Sequence, residues 1–194
     1  MNAEPKLAPP GAGLPRHELY VGRLLFALRR WTGSRDAHNA RFQQERETIR
    51  RLLRSREGNS AAQRVLIRRP RGLEDSSRYW SIWMTLDHLR IVNQSFIRVI
   101  GALTKGEMPK GTSSTAAVKP SPEASAAVVA DYESSCDGLM ATVAAAGNLK
   151  TELRYAHPWF GPLDAAGWHA LSAGHMGIHR IQIEWILEGL RAAP

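Results

Sequence analysis

Trp168-His-Ala-Leu-Ser-Ala-Gly-His-Met-Gly-Ile-His-Arg-Ile-Gln-Ile-Glu-Trp-Ile186 is the stretch that decides how this chain folds. Trp168, Leu171, His175, Ile178, His179, Gln182 and Ile186 recur at intervals of one, three and four residues, the spacing of a single helix face. The apolar members turn that face inward. His175 and His179 are four apart, so their imidazoles project from the same side, one turn from each other.

A second stretch, Trp80-Ser-Ile-Trp-Met-Thr-Leu-Asp-His88-Leu, repeats the logic. Asp75 or Ser76 can cap a helix that runs to about Ile100. Trp80, Met84, His88, Ile91, Ser95 and Val99 would then share one broad side. His88 lies between Met84 and Ile91 on that stripe and is expected to face inward.

Outward from these two helices the pattern stays helical. Leu14-Pro15 opens a first helix to about Arg30, with Leu24, Leu25, Leu28 and Trp31 on one side, and Gly33 stops or bends it. A second stretch follows Ser34 or Asp36 to about Arg56, with Phe42, Ile49, Leu52 and Leu53 at helical spacing and Gly58-Asn59 as its stop. The two could be one kinked helix. Val65-Leu66-Ile67 reads as an extended segment or a short helix. Residues 105–119 lose all periodicity and form a polar crossover. Ser121-Pro122-Glu123 opens an alanine-rich helix that stops at Gly147-Asn148, and Leu163-Asp164 starts the last helix, which ends near Leu190. No repeat and no alternating strand pattern is present. The expectation is an all-α chain: a four-helix bundle over residues 15–194, with a possible extra N-terminal helix and a disordered segment at 1–14.

Two adjacent imidazoles in a core each need a hydrogen-bond partner or a metal, because an unpaired buried group costs about 1–3 kcal/mol. His88, His175 and His179 therefore read either as satisfied core histidines or as three ligands of one ion held between facing helices. Three protein ligands leave at least one position for water or substrate. Uniform imidazole ligation suits Zn, Ni, Cu or Fe without choosing among them. One reading is excluded. A zincin protease needs Glu directly after the first histidine, and Met176 stands there.

His157, in His-Pro-Trp-Phe-Gly-Pro-Leu163, can line a pocket mouth or bond backbone. Gln182 can orient a ligand, donate to a substrate, or act as an ordinary buried amide. Trp80 and Trp83 lie within two turns of His88 and can wall a pocket or serve the core. Asp87 points about 100° away from His88 and reads as a surface or inter-helix residue. Cys136 reads as a small core residue rather than a nucleophile. His17, His38 and His169 have no evident partner.

The 194 residues carry a net charge of +8, unevenly placed. Residues 1–71 hold 16 Lys and Arg against 6 Asp and Glu, a net of +10. That basic third is either a solvated arginine-rich face or a nucleic-acid surface; no aromatic interleaving supports the second. A single cysteine forms no internal disulfide. No apolar run approaches the roughly 18 residues needed to cross a bilayer, and Arg23 interrupts the first apolar stretch. A soluble cytoplasmic protein is expected.

The Trp80–Leu89 segment, the His157 loop and His175-Met-Gly-Ile-His179-Arg-Ile-Gln182 together resemble the DinB-like (DinB/YfiT-type) superfamily of metalloenzymes, over about Leu73 to Leu190. The N-terminal third matches poorly. The resemblance implies an up-down-down-up bundle with the long crossover between its second and third helices. It also implies one divalent ion, zinc or nickel, on His88, His175 and His179, and often a homodimer. Some relatives use a low-molecular-weight thiol such as mycothiol or bacillithiol.

The first functional expectation is a metal-dependent enzyme that activates a thiol or water on a small-molecule substrate, such as a thiol-dependent transferase. The second is a non-catalytic metal-binding or stress-response module. A nucleic-acid binder ranks last.

Overall fold

Every element of the chain can be placed relative to the two histidine-bearing helices. A computed structural model describes residues 4–54 and 60–192. Five helices carry the fold: α1 (Arg16–Thr32), α2 (Arg35–Arg54), α3 (Ile82–Thr104), α4 (Val128–Ala145) and α5 (Ala165–Ala192). The expected stop at Gly58-Asn59 lies outside the described residues.

α1 and α2 are two helices, not one. Gly33 is extended (φ −88°, ψ 144°), and Ser34 Oγ accepts the Ala37 N–H at 3.1 Å to start the next helix. A Cβ at Gly33 would lie 2.5 Å from His38 Cε1 and 2.6 Å from the Arg29 carbonyl, so the junction has room only for glycine.

The histidine helix α3 begins later than expected. Residues 75–77 form a single 3₁₀ turn, and the N-cap is Ser81, whose Oγ accepts the Met84 N–H at 3.1 Å. Between them the chain is extended: β2 (Tyr79–Trp80) pairs antiparallel with β1 (Val65–Leu66), so Val65-Leu66 takes the extended alternative. A second small ladder joins β3 (Tyr155–His157) to β4 (Gly161–Leu163). Neither strand pairing was expected, because two or three residues are too few to show alternation.

Cross-helix pairs give the topology. Asn39 and Glu45 of α2 meet His169 and Arg180 of α5, so both numbers rise together and these helices are parallel. Asn93 meets Ser135, and Gly138 lies against Ile97, so α3 and α4 are also parallel. His88 meets His175 while Phe96 meets Trp168, so α3 runs against α5. Arg35 reaches Ala146 and Arg46 reaches Glu133, so α2 runs against α4. The order is up-down-down-up, and the long connection spans 105–127 between the bundle's second and third helices.

That connection is longer than expected because Ser121 does not cap a helix. Its N–H donates to Asp87 Oδ2 at 2.9 Å, and α4 starts only at Val128. Asp87, 6% exposed and also paired with Arg90 on its own helix, is thus neither a surface nor an inter-helix residue: it ties α3 to the crossover. Lys119 Nζ, held by Glu74 at 2.9 Å, pins the connection a second time.

Phe42, Ile49, Leu86, Leu139, Met176 and Ile183 share one core, each contributing about 1.5–3 kcal/mol through burial. Part of the basic third is paired internally, while Arg16, Arg23, Arg51, Arg54 and Arg68 are exposed as a solvated face would be. Arg46, 4% exposed, meets Glu133 and Asp137, while Arg30 meets Asp164. These arginines are therefore not a solvated face.

The expected apolar stripe of α1 faces out, not in. Tyr20, Leu24 and Trp31 are 65%, 70% and 84% exposed, and Leu25 and Leu28 are also exposed. The other side of α1 is what holds it, through Phe26 on Phe160, Arg30 on Asp164 and Glu18 on Arg69. Residues 4–14 contain no helix or strand, yet two of their amides are tied down: Ala8 N–H to Asp75 at 2.8 Å and Gly11 N–H to Glu74 at 3.3 Å.

Candidate metal centre

α3 brings His88, and α5 brings His175 and His179, to one point. His175 Nε2 lies 3.1 Å from His88 Nε2 and 3.2 Å from His179 Nε2. All three ligand atoms fall within 4.8 Å of one another.

Two of the tautomers follow from the neighbours. The Val118 carbonyl, 2.6 Å from His88 Nδ1, can only accept, so that nitrogen carries the proton. The Ser77 carbonyl can only accept from Gln182 Nε2, at 2.7 Å. Gln182 Oε1 is thereby turned to His179 Nδ1, also at 2.7 Å, which must donate. His88 and His179 therefore both aim bare Nε2 lone pairs at the same place.

The donor set fits a metal ion. His175 has one proton to share, and by placing it on Nε2 it could satisfy only one of the two lone pairs facing it. Its Nδ1 is buried with no partner. A cation satisfies all three nitrogens. Nitrogens bound at about 2.0–2.1 Å in a tetrahedral shell stand roughly 3.3 Å apart, close to the spacing found here.

Burial keeps the imidazoles neutral, as ligands must be. It holds His88 down to about 4, with the Val118 bond opposing and the Lys119 charge assisting. His175 and His179 are also held well below the ordinary histidine range, by burial first and by neighbouring imidazoles second.

All three imidazoles line a cavity of about 430 Å³ that opens to solvent between α1, α5 and the crossover, and His175 is the least buried of them. Phe96 packs edge-on against it at 6.0 Å. His157, at the β3 end of its hairpin, lines the same cavity. Its Nδ1 accepts the Trp159 N–H at 3.1 Å, which leaves the proton on Nε2, and burial lowers it to about 4. Gln182 is fully buried and orients His179 rather than meeting the cavity. Trp80 lies behind the cluster, stacked on His179 (9° between planes) and tilted against His88.

Val118, Ser77, Lys119 and Glu74 went unread in the sequence, since backbone carbonyls and linker residues carry no periodic signal. Two histidines without evident partners have them: His169 Nε2 lies 2.9 Å from Asn39 Oδ1, and His38 packs edge-on against His169. Cys136 is buried, which pushes its thiol up to about 12.

A four-helix bundle with three imidazoles converging between two of its helices is the class that fold and site define. The DinB superfamily model matches residues 24–183, and the chain belongs to that superfamily. The match takes in α2 and most of α1, well beyond the 73–190 span over which the residues themselves showed resemblance. A solved four-helix bundle protein, TT2238, is similar at 21% identity and a TM-score of 0.56, covering 82% of this chain and 100% of that one. No curated protein matches.

Proposed function

We propose that this protein is a metal-dependent enzyme in which His88, His175 and His179 hold one divalent ion, zinc or nickel, that activates a thiol or water. The observation carrying this reading is the pair of fixed lone pairs on His88 and His179, facing a third imidazole on the wall of an open cavity. When bound, the ion would lower the pKa of a thiol or water placed in its remaining position. The protein's part is to hold His88 and His179 deprotonated at Nε2 through Val118 and Gln182, and to admit a reactant through the cavity that all three imidazoles line. The apolar cavity wall, with Phe26, Phe96 and Trp168, would exclude water from a thiol-bearing small molecule.

A cytoplasmic location accords with one buried, free cysteine and with the absence of a membrane-length apolar helix among the described residues. The outward stripe of α1 supports a homodimer, since contiguous exposed apolar surface of this kind marks association sites.

Metal analysis of the full-length protein tests the reading. About one divalent ion per chain is expected, and His175→Ala should remove most of it. A protein that neither retains nor takes up a divalent ion overturns the proposal. Turnover of small thiols with electrophilic acceptors, lost in His88→Ala, would separate the enzyme from a non-catalytic metal-binding module.

A further inference from the structure

The cavity that ends at the histidines has an unbalanced charge. Its wall holds three carboxylates, Glu18, Glu45 and Glu74, and each is committed to a cation: Glu18 to Arg69, Glu45 to Arg180 at 2.6 Å, and Glu74 to Lys119 at 2.9 Å. Arg29 of α1 and Arg41 of α2 stand on the same wall, and among the described residues neither guanidinium has a hydrogen-bond or ion-pair partner.

The two guanidiniums line one cavity and lie over neighbouring glycines of α5. Burial and then the Arg41 charge push Arg29 down, and His38 is lowered by burial and by both arginines. Both rest against a strip of α5 that has no side chains. A Cβ at Gly174 would lie 3.9 Å from Arg29 Nη1, and one at Gly177 would lie 2.9 Å from Glu45 Oε1, the carboxylate paired with Arg180, and 3.6 Å from Arg41 Nη2. His175 sits between these glycines in the sequence, on the same two turns of helix.

Two like charges held together at a cavity mouth, with every nearby carboxylate spoken for, are relieved by an anion between them. Guanidiniums bind carboxylate and phosphate oxygens through paired N–H donors. The walls leading inward from them are apolar, with Phe26, Val92 and Phe96.

We infer that Arg29 and Arg41 form an anion seat at the cavity mouth, so that the substrate class is a small acid with an apolar stem. The carboxylate or phosphate sits on the arginines and the reacting end reaches the histidines. This assignment rests on the proposed function only for the direction in which the molecule lies; the seat itself needs no metal.

Calorimetric titration of the metal-free, full-length protein with octanoate, octyl phosphate and octanamide tests it. At least one oxyanion should bind ten-fold or more tighter than octanamide, and added salt should weaken the oxyanion alone. Arg29→Gln and Arg41→Gln should each cost that oxyanion at least ten-fold and leave octanamide unchanged. Equal binding of charged and neutral ligands in the wild-type protein overturns the seat, as does unchanged oxyanion affinity in the double variant. Because the titration contains no metal, a protein that takes up no ion can still pass it, and one that loads metal can still fail it.

Discussion

Gln182 and His179 fix each other's orientation: the Gln182 Oε1 accepts from His179 Nδ1 at 2.7 Å, while Gln182 Nε2 is anchored at 2.7 Å on the Ser77 carbonyl. A helix residue is thus tied to the turn that precedes α3, and the amide has one orientation that satisfies both partners.

Gln182→Ala removes that tie. It leaves a buried imidazole N–H and a carbonyl unpaired, so stability should fall by about 1–3 kcal/mol. Loss of a group that orients a metal-ligating histidine typically weakens metal binding by about 10–100-fold. Thermal unfolding and zinc competition against a chelator measure the two effects separately.

Glu74 and Lys119 form the clasp of the crossover. Burial raises the Glu74 carboxyl, but bonds from Lys119 and Thr115 outweigh it and hold the group below its ordinary value. Glu74→Ala would leave a largely buried ammonium without its counter-charge, for a loss of about 3 kcal/mol. Urea denaturation of the metal-free protein should show it. Metal affinity should also fall, because Val118, next to Lys119, orients His88.

Acid should unfold the metal-free protein over a defined window. His88, His157 and His169 are each lowered to about 4 by burial. Above pH 6.5 both folded and unfolded forms are neutral, and these groups have no effect. Below it the unfolded chain binds protons that the folded chain refuses, so stability falls as pH drops from 6.5 towards 4. Each group adds a slope of about 1.4 kcal/mol per pH unit. Denaturation midpoints that stay flat across that range would contradict the assignment. Bound metal should shift the transition to lower pH, with metal release as its signature.

The outward stripe of α1 should govern association. Replacing Leu24 and Trp31 together by Ser should convert the proposed homodimer to a monomer on light scattering, with the helical signal unchanged, because neither side chain contributes to the core. A wild-type protein that is already monomeric at high concentration removes this role.

Cys136 should be inert. Its thiol is buried and pushed up to about 12, so an aromatic disulfide reagent should react with the folded protein far more slowly than with the protein in denaturant.

Much of the site was legible because helical period and histidine identity coincide. His175 and His179 had to share a face at i,i+4, and the apolar neighbours of His88 turned it inward. The bundle was legible for the same reason. Long stripes advertise helices, and the loss of period after Lys105 marked the crossover. What stayed hidden was set by tertiary contact. Ser121 looked like a cap, but its Oγ accepts the Glu123 N–H in a turn, its N–H serves Asp87, and the helix waits until Val128. Leu24, Leu28 and Trp31 looked like a buried stripe, but Phe26, Arg30 and Glu18 on the opposite side decide which way α1 faces. The partners of His88 and His179 are in part backbone carbonyls, which any residue type supplies, so no reading of side chains could have named Val118 or Ser77.

The Val118 carbonyl belongs to the loop joining α3 to α4, not to either helix that bears an imidazole. Trp80, His175 and His179 confine the His88 ring, but its Nδ1 proton goes to the loop, which is fastened at Lys119 and Ser121. A metal held on all three rings would therefore depend on the crossover as well as on the two helices, and shortening that loop should weaken ion binding and stability together.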